Sequence, residues 1–440
     1  MSLRNLPDAN TSITLDFLKG KKLDPRITFE RASSATEIGE GTGVVNGQFY
    51  EFQEDVPRLT DKGLLIEQSS TNGLTHSTAF LNGIYTRSNV NVTDNVAVAP
   101  DGTLTASTVM EKNINNTTFG VYPGSLADSL AGDWAGSVFV KPNGRDYVSL
   151  RLLNGTSGGW WHTVTFALIG EGSITQELSA TSASYTNISR SIKSVGNGWY
   201  RITLGATIPG NVGAGQFWPL IVQGTDVATP TLVDGGYGAP IYTGDSTKGY
   251  YLWGAQREDQ KNFATSYIPT SGATVTRAVD LVTLSNNNFT DWFNNSEGTW
   301  VIGADVLGSG TTSDYPRLLQ TNQSANFEYQ TLNTAPGSAA LAFQGWLTGQ
   351  STKTPYGIAP KGEFKVAANY SIGNTSPIYI DGTEHVRSIG YNPGSAAGTP
   401  PTELRIFRQS NGGQFLSGHL RFLSYYPTSV PDSSLEALTS

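Results

Sequence analysis

Apolar and polar residues alternate with a period of two along most of this chain, the spacing of a strand with one face buried. Ile13, Leu15 and Phe17 alternate with Thr14 and Asp16, and Ile27 and Phe29 with Thr28 and Glu30. In Tyr147-Val148-Ser149-Leu150-Arg151-Leu152 the apolar positions predict an inner face, with Ser149 and Arg151 outward. Tyr200, Ile202 and Leu204 predict another, and Ser137 to Pro142 a strand that stops at its proline. The pattern continues through 298–306, 364–370, 378–383, 404–408 and 418–427. Gly196-Asn197-Gly198 and Asp381-Gly382 are tight-turn signals. Helical spacing is confined to Leu126–Leu130 and the tail Ser433–Leu438, about one turn each.

One stretch organises the rest. Gly249 to Gln256 reads as a strand with both faces occupied, Tyr250, Leu252 and Gly254 alternating with Tyr251, Trp253 and Ala255. Pairing is expected to end by Pro269, and a Thr/Ser/Ala-rich extended run leads on to Asp280. The expected division is an opening module over residues 1–74, a sandwich over 75–280 and a second sandwich over 281–440. The opening module holds too few apolar residues to fold alone and is expected to dock on a partner or on the adjoining domain. The fold class is all-β, an N-terminal attachment module followed by two jelly-roll or concanavalin-A-like sandwiches.

Composition narrows the chemistry. The 440 residues include 50 glycines and 21 prolines, a turn-rich β composition. There is no cysteine, which removes disulfides, thiolate metal sites and cysteine nucleophiles together. The net charge of −8 speaks against a nucleic-acid partner, which needs basic patches. No apolar run approaches the roughly 18 residues of a membrane span. The first residues lack the apolar core of a secretory signal, so the protein is expected to act where it is made or to leave by lysis.

The spaced motifs Leu23-Asp24-Pro25-Arg26-Ile27-Thr28-Phe29-Glu30-Arg31, Val56-Pro57-Arg58 and Gly63-Leu64-Leu65-Ile66-Glu67 with Thr71-Asn72 resemble the opening module of tailed-phage structural proteins. Trp134 with Ser137–Pro142, Val195–Ile202, Tyr251–Gln256 and Thr265–Thr270 resemble the carbohydrate-binding-module-like sandwich that often follows it. Gly418–Pro427 with the closing Pro431–Leu438 is similar to the end of concanavalin-A/laminin-G-like domains. The resemblance implies a non-enzymatic virion protein, a head or tail fibre or spike assembled in the host cytoplasm. It implies virion attachment through Leu23, Asp24, Pro25, Arg26, Phe29, Arg31, Pro57 and Arg58. The implied partners are capsid, portal, neck or tail proteins, a host-surface glycan and further copies of this chain in a homo-oligomer such as a trimer, with no nucleic acid and no membrane. The alternatives are a capsid decoration protein and a polysaccharide-degrading tailspike. Deleting residues 1–74 is then expected to abolish incorporation while leaving soluble sandwiches.

Glycan cleavage needs two carboxylates about 5–9.5 Å apart, and no clustered acidic motif occurs over 281–440. Glu51, Glu54 and Asp55 read as a solvated loop. Gly39–Gly43 lacks the lysine of a phosphate loop, and no Gly-x-Ser-x-Gly elbow occurs. His76, His162, His385 and His419 stand apart, so no catalytic residue and no metal site is expected. Asp234 and Asp245 are calcium candidates that ordinary Asp-Gly turns explain equally well. Aromatic rings are the better clue, because sugars stack C–H faces on indole and phenol rings while polar neighbours take the hydroxyls. Trp160, Trp161, Trp218, Tyr237 and Trp346 are the candidate carbohydrate-binding residues. Only one of Trp160 and Trp161 is expected to be exposed, since neighbours on a strand point oppositely. Trp199, Trp253 and Trp300 are assigned to the core.

Overall fold

A computed structural model describes residues 11–18, 22–38, 49–124, 132–154, 160–180, 185–208, 217–233, 237–309, 317–322, 330–334, 340–347, 350–353, 357–358, 362–371, 376–388, 401–408 and 415–440. The structure is nearly all β, with two short helices, Asn287–Thr290 and Asp432–Thr439. The second is the expected tail helix. It buries Leu435 and Leu438 on Val301, Ala367, Tyr379 and Tyr426. The expected turn at Leu126–Leu130 and the loop Gly39–Gly43 lie outside the described residues.

Residues 85–259 build two six-stranded antiparallel sheets. Sheet A runs in the order Thr186–Ser194, Tyr200–Ile208, Gly132–Asn143, Gly249–Asp259, Ala106–Glu111, Val90–Ala97. Sheet B runs Ser173–Ser179, Trp160–Ala167, Tyr147–Asn154, Phe217–Thr225, Gly120–Pro123, Tyr85–Ser88. Val138, Val140, Ile202, Leu204, Tyr250 and Leu252 from sheet A meet Val148, Leu150, Leu152, Val164 and Phe166 from sheet B in one core. The hairpin at Gly196-Asn197-Gly198 forms as expected, all three residues having positive φ.

The strand through Pro142 does not stop there. It continues to Asn143, with Pro142 opposite Tyr250. Its other neighbour ends at the Val140–Tyr200 pair, so the proline nitrogen needs no partner on that side. Alternation on Gly249–Asp259 is also broken. A register shift opposite Ser137 and Phe139 coincides with Gly254 at φ +61°. Ala255 then joins Tyr250 and Leu252 in the core. Gln256 and Glu258, which unbroken alternation would send into that core, emerge on the other face of the sheet. A Cβ at Gly254 would lie 2.7 Å from the Phe139 ring, so both the φ and the space call for glycine.

The second sandwich is not built from the end of the chain alone. Sheet C runs Thr383–Ser388, Ser376–Ile380, Gly362–Ser371, Glu297–Ser309, Leu416–Tyr426, Gly63–Ile66, Arg58–Thr60, and Ile13–Asp16 also pairs with Leu416–Tyr426. Sheet D begins with Thr28–Glu30 beside Leu281–Ser285 and passes through Glu403–Ile406 and Arg317–Asn322. Ile13, Leu15, Phe17, Ile27, Phe29, Leu64 and Ile66 share its core with Trp300, Leu404 and Tyr425. The opening segment, expected to dock on a partner or on the adjoining domain, instead supplies strands to the sandwich furthest from it in sequence. Its apolar alternation cannot say which core it enters. A third cluster, Ile38, Phe139, Val195, Trp199, Trp253 and Tyr267, covers the outer face of sheet A under the hairpin Ala35–Ile38/Phe49–Phe52.

Candidate functional site

Charged residues of the opening motifs converge on the run 256–280 in a buried junction between the sandwiches. Arg58 is fully buried, its Nη1 2.8 Å from Glu67 and its Nη2 2.6 Å from Asp280. Arg31, 1 % exposed, reaches the other Asp280 oxygen at 3.2 Å and donates to the carbonyls of Ser33, Gln53 and Val56. Arg277 approaches Glu67 at 3.4 Å and donates to the Gln68 carbonyl. Ser266 donates to Glu67 from both its amide and its hydroxyl. Burial alone would raise the Glu67 carboxyl. Arg277, Arg58 and the two Ser266 hydrogen bonds outweigh it and hold the group well below the usual carboxylate range.

Beside it, Glu258 accepts from Ser70, Gln256 and both donors of Thr265. Asn72 donates to the carbonyls of Ala255 and Ile268 and accepts from the Leu74 and Arg257 amides. The bulge at Gly254 is what delivers Gln256 and Glu258 to this place. The carboxylates gathered here are buried and face arginines and hydroxyls, an arrangement that holds a fold together.

The placement corrects the attachment assignment for three residues. Phe29 is in the second sandwich's core, and Arg31 and Arg58 are in the junction, so none offers a face to another protein. Leu23 and Pro57 are half-buried, and Pro25 is exposed. Asp24 and Arg26 pair with each other at 2.7 Å at the surface. Glu51, Glu54 and Asp55 are exposed, and Asp55 caps the Arg31 amide.

The second region is the outer face of sheet B. Ser149 and Arg151 point outward as expected, yet they are 0 % and 5 % exposed. The loop after Thr225 folds back as the hairpin Leu232–Val233/Ala239–Pro240 onto Arg151, while Ser149 pairs with Thr165. Arg151 donates to the Tyr237 carbonyl at 2.6 Å, and Thr163 to the Gly238 carbonyl at 2.9 Å. Gly238, at φ +69°, sits on the Trp161 indole, where a Cβ would come within 2.0 Å of the ring. Trp161 is therefore a packing residue, with no face left for a ligand. Trp160 is half-buried against the sandwich core, so neither member of the pair is fully exposed. The side chains of Trp218 and Trp346 lie outside the described residues.

Tyr237 is different. It is 43 % exposed and has φ +58°, a left-handed conformation unusual for a bulky residue. Arg151 and Thr163 anchor the two successive carbonyls of Tyr237 and Gly238 while the tyrosine ring stands out. Trp199, Trp253 and Trp300 are at most 2 % exposed, as their core assignment requires. Asp245 is held by the Thr247 amide and hydroxyl in a turn, and Asp234 lies outside the described residues. Among the described residues no three acidic or histidine side chains gather as a metal site, and no helix is long and apolar enough to cross a membrane.

No family model matches the chain, and no curated protein does. Solved structures do. The carbohydrate-binding module (CBM40) of the Ruminococcus gnavus IT-sialidase, bound to alpha2,6 sialyllactose, matches 33 % of this chain and 85 % of its own at 11 % identity and a TM-score of 0.28. Domain 4 of AbnA, a GH43 arabinanase of Geobacillus stearothermophilus, in complex with arabinotriose, matches 41 % and 84 % at 11 % identity and a TM-score of 0.30. Domains LG4-5 of the mouse laminin alpha1 chain match 82 % and 88 % at 7 % identity and a TM-score of 0.22.

Proposed function

We propose that this protein is a structural component of a tailed-phage particle, a head or tail fibre or spike, whose two sandwiches are held out as one stiff body that meets a host-surface glycan. The observation that carries this reading is the buried junction. Three arginines and two carboxylates, each with a side chain at most 1 % exposed, tie the opening residues to Arg277 and Asp280, and hydrogen bonds of Glu67, Ser70 and Asn72 carry the connection to Ser266, Glu258 and Ala255 beside the central sandwich. A jointed binder would need no such lock, whereas a projecting body works by keeping its shape. The resemblance of the opening motifs to tailed-phage structural proteins supports the particle. Tyr237 supports the glycan, because among the described candidates its ring is the one that stands free, on a braced hairpin. Attachment then falls to the exposed parts of the opening segment around Pro25 and Glu51–Glu54.

The test has two arms. Labelled antibody against the chain should decorate purified particles at a fixed position; particles without the chain would overturn the virion reading. A glycan array probed with the full chain and with Tyr237→Ala should show binding that the variant loses. Decorated particles with an empty array would leave a shell-covering protein instead.

A further inference from the structure

Sheet B carries a second constellation at its edge. Ser179, exposed at the end of the edge strand, lies opposite His162, and its Oγ is 2.6 Å from the imidazole Nδ1. The other ring nitrogen, Nε2, is 3.4 Å from Glu177 Oε1, inside ion-pair range, but it makes no hydrogen bond. Glu177 is fixed in turn by Arg190, whose Nε lies 2.8 Å from Oε2. Glu177 and Ser179 are two apart on one strand, so both face His162. His162 itself is 1 % exposed. The Tyr185 ring packs edge-on against it at 6.3 Å, and the Tyr185 hydroxyl donates to the Trp160 carbonyl.

We propose that Ser179 and His162 act as nucleophile and general base, with the Glu177 charge beside the imidazole, in the hydrolysis of an acyl ester. A nucleophile in hydrogen-bond reach of a base is the arrangement such chemistry starts from, and a carboxylate in ion-pair range stabilises the charge the base acquires. With the imidazole proton on Nε2 toward Glu177, Nδ1 is the acceptor, and the serine hydroxyl donates to it. Burial is the largest influence on the ring and is only partly opposed by Glu177. It keeps the imidazole below its ordinary pKa, with Arg190 acting in the same sense. The ring is therefore neutral, and able to take a proton, at neutral pH. A donor for the developing negative charge is also in place. The Ala180 amide donates to the Trp161 carbonyl, so the preceding amide, that of Ser179, points off the sheet edge.

In the reaction Ser179 Oγ adds to the ester carbonyl as its proton passes to Nδ1. The carbonyl oxygen becomes an oxyanion facing the Ser179 amide. Collapse breaks the bond to the alcohol oxygen, which takes the proton from His162 and leaves. Water then repeats the sequence on the acyl-serine, releasing the acid. The inference does not depend on the glycan reading, and it would add chemistry to a body otherwise assigned to contact alone.

The experiment uses the full chain with a fluorophosphonate probe and with p-nitrophenyl acetate. The expected result is one probe adduct, mapped by mass spectrometry to Ser179, and ester hydrolysis that falls by about a hundredfold in Ser179→Ala. That variant removes one exposed hydroxyl, and an unchanged melting temperature checks its fold. Glu177→Gln should move the acid limb of the pH–rate profile to lower pH, because Glu177 raises the imidazole pKa; a purely structural glutamate would not shift it. No adduct, an adduct elsewhere, or Ser179→Ala hydrolysing as fast as the parent chain each overturns the proposal.

Discussion

The two sandwiches solve the same packing problem with different pieces of chain. The central one takes its twelve strands from residues 85–259. The other closes its core only when Ile13–Asp16, Thr28–Glu30, Arg58–Thr60 and Gly63–Ile66 return to it from the opposite end of the sequence. Between them runs the ionic junction, built from the same opening segment. The contrast teaches that the opening strands are structural to the distant sandwich. It also predicts an order of folding events. Local hairpins of the central sandwich close short loops, whereas the second core waits for a closure across most of the chain.

The largest test is removal of residues 1–72. Seven buried apolar side chains leave the second core, and at about 1.5–3 kcal/mol each the loss is on the order of 10–20 kcal/mol, comparable with a whole domain's net stability. The expected outcome is an insoluble or molten 281–440 region, read by proteolysis and near-ultraviolet circular dichroism, in contrast to the soluble sandwiches that an independent module would leave. A cooperative melt for that region in the truncated chain would break the comparison.

Next in size is the junction. Arg58→Met leaves Glu67 and Asp280 buried without their shared partner and should cost about 3–5 kcal/mol in chemical denaturation. Gly254→Val should follow, at about 1–3 kcal/mol, since it combines a positive φ with a clash on Phe139. It should also disturb the junction, by flipping Gln256 and Glu258.

Acid should act on the junction before the central core. The folded Glu67 carboxyl is held below its ordinary value of 4.5, so as pH falls below that value the unfolded chain takes up the proton first. The stability Glu67 contributes is complete above pH 4.5 and declines as pH drops further toward its folded value. A denaturation midpoint that stays flat from pH 5 down to pH 3 would contradict this. The smallest effect belongs to the hairpin over sheet B. Tyr237→Gly relieves the left-handed strain and should change stability by about 1 kcal/mol or less, in the stabilising direction, while glycan binding disappears.

Much of the architecture was legible. Period-two alternation is a local property set by which side of a strand meets water, and it located the inner faces of 148–152 and 200–204. The tight turns were legible because few residues tolerate positive φ. Other features left no local trace. At Arg151 alternation assigns only the far side of a sheet; whether that side meets water depends on the hairpin Leu232–Val233/Ala239–Pro240, distant in sequence. His162 and Ser179 stand on separate strands and meet only because the register sets them opposite each other.

What the amino-acid order determined by itself was therefore a set of strands, turns and inner faces, since each depends on a few neighbouring side chains and their preference for water. The folded chain decided the rest: which sandwich the opening strands complete, where the charged residues of the opening motifs come together, and which aromatic ring remains uncovered. Those outcomes turn on pairings between residues far apart in sequence, and alternation is the same whichever partner a strand finds.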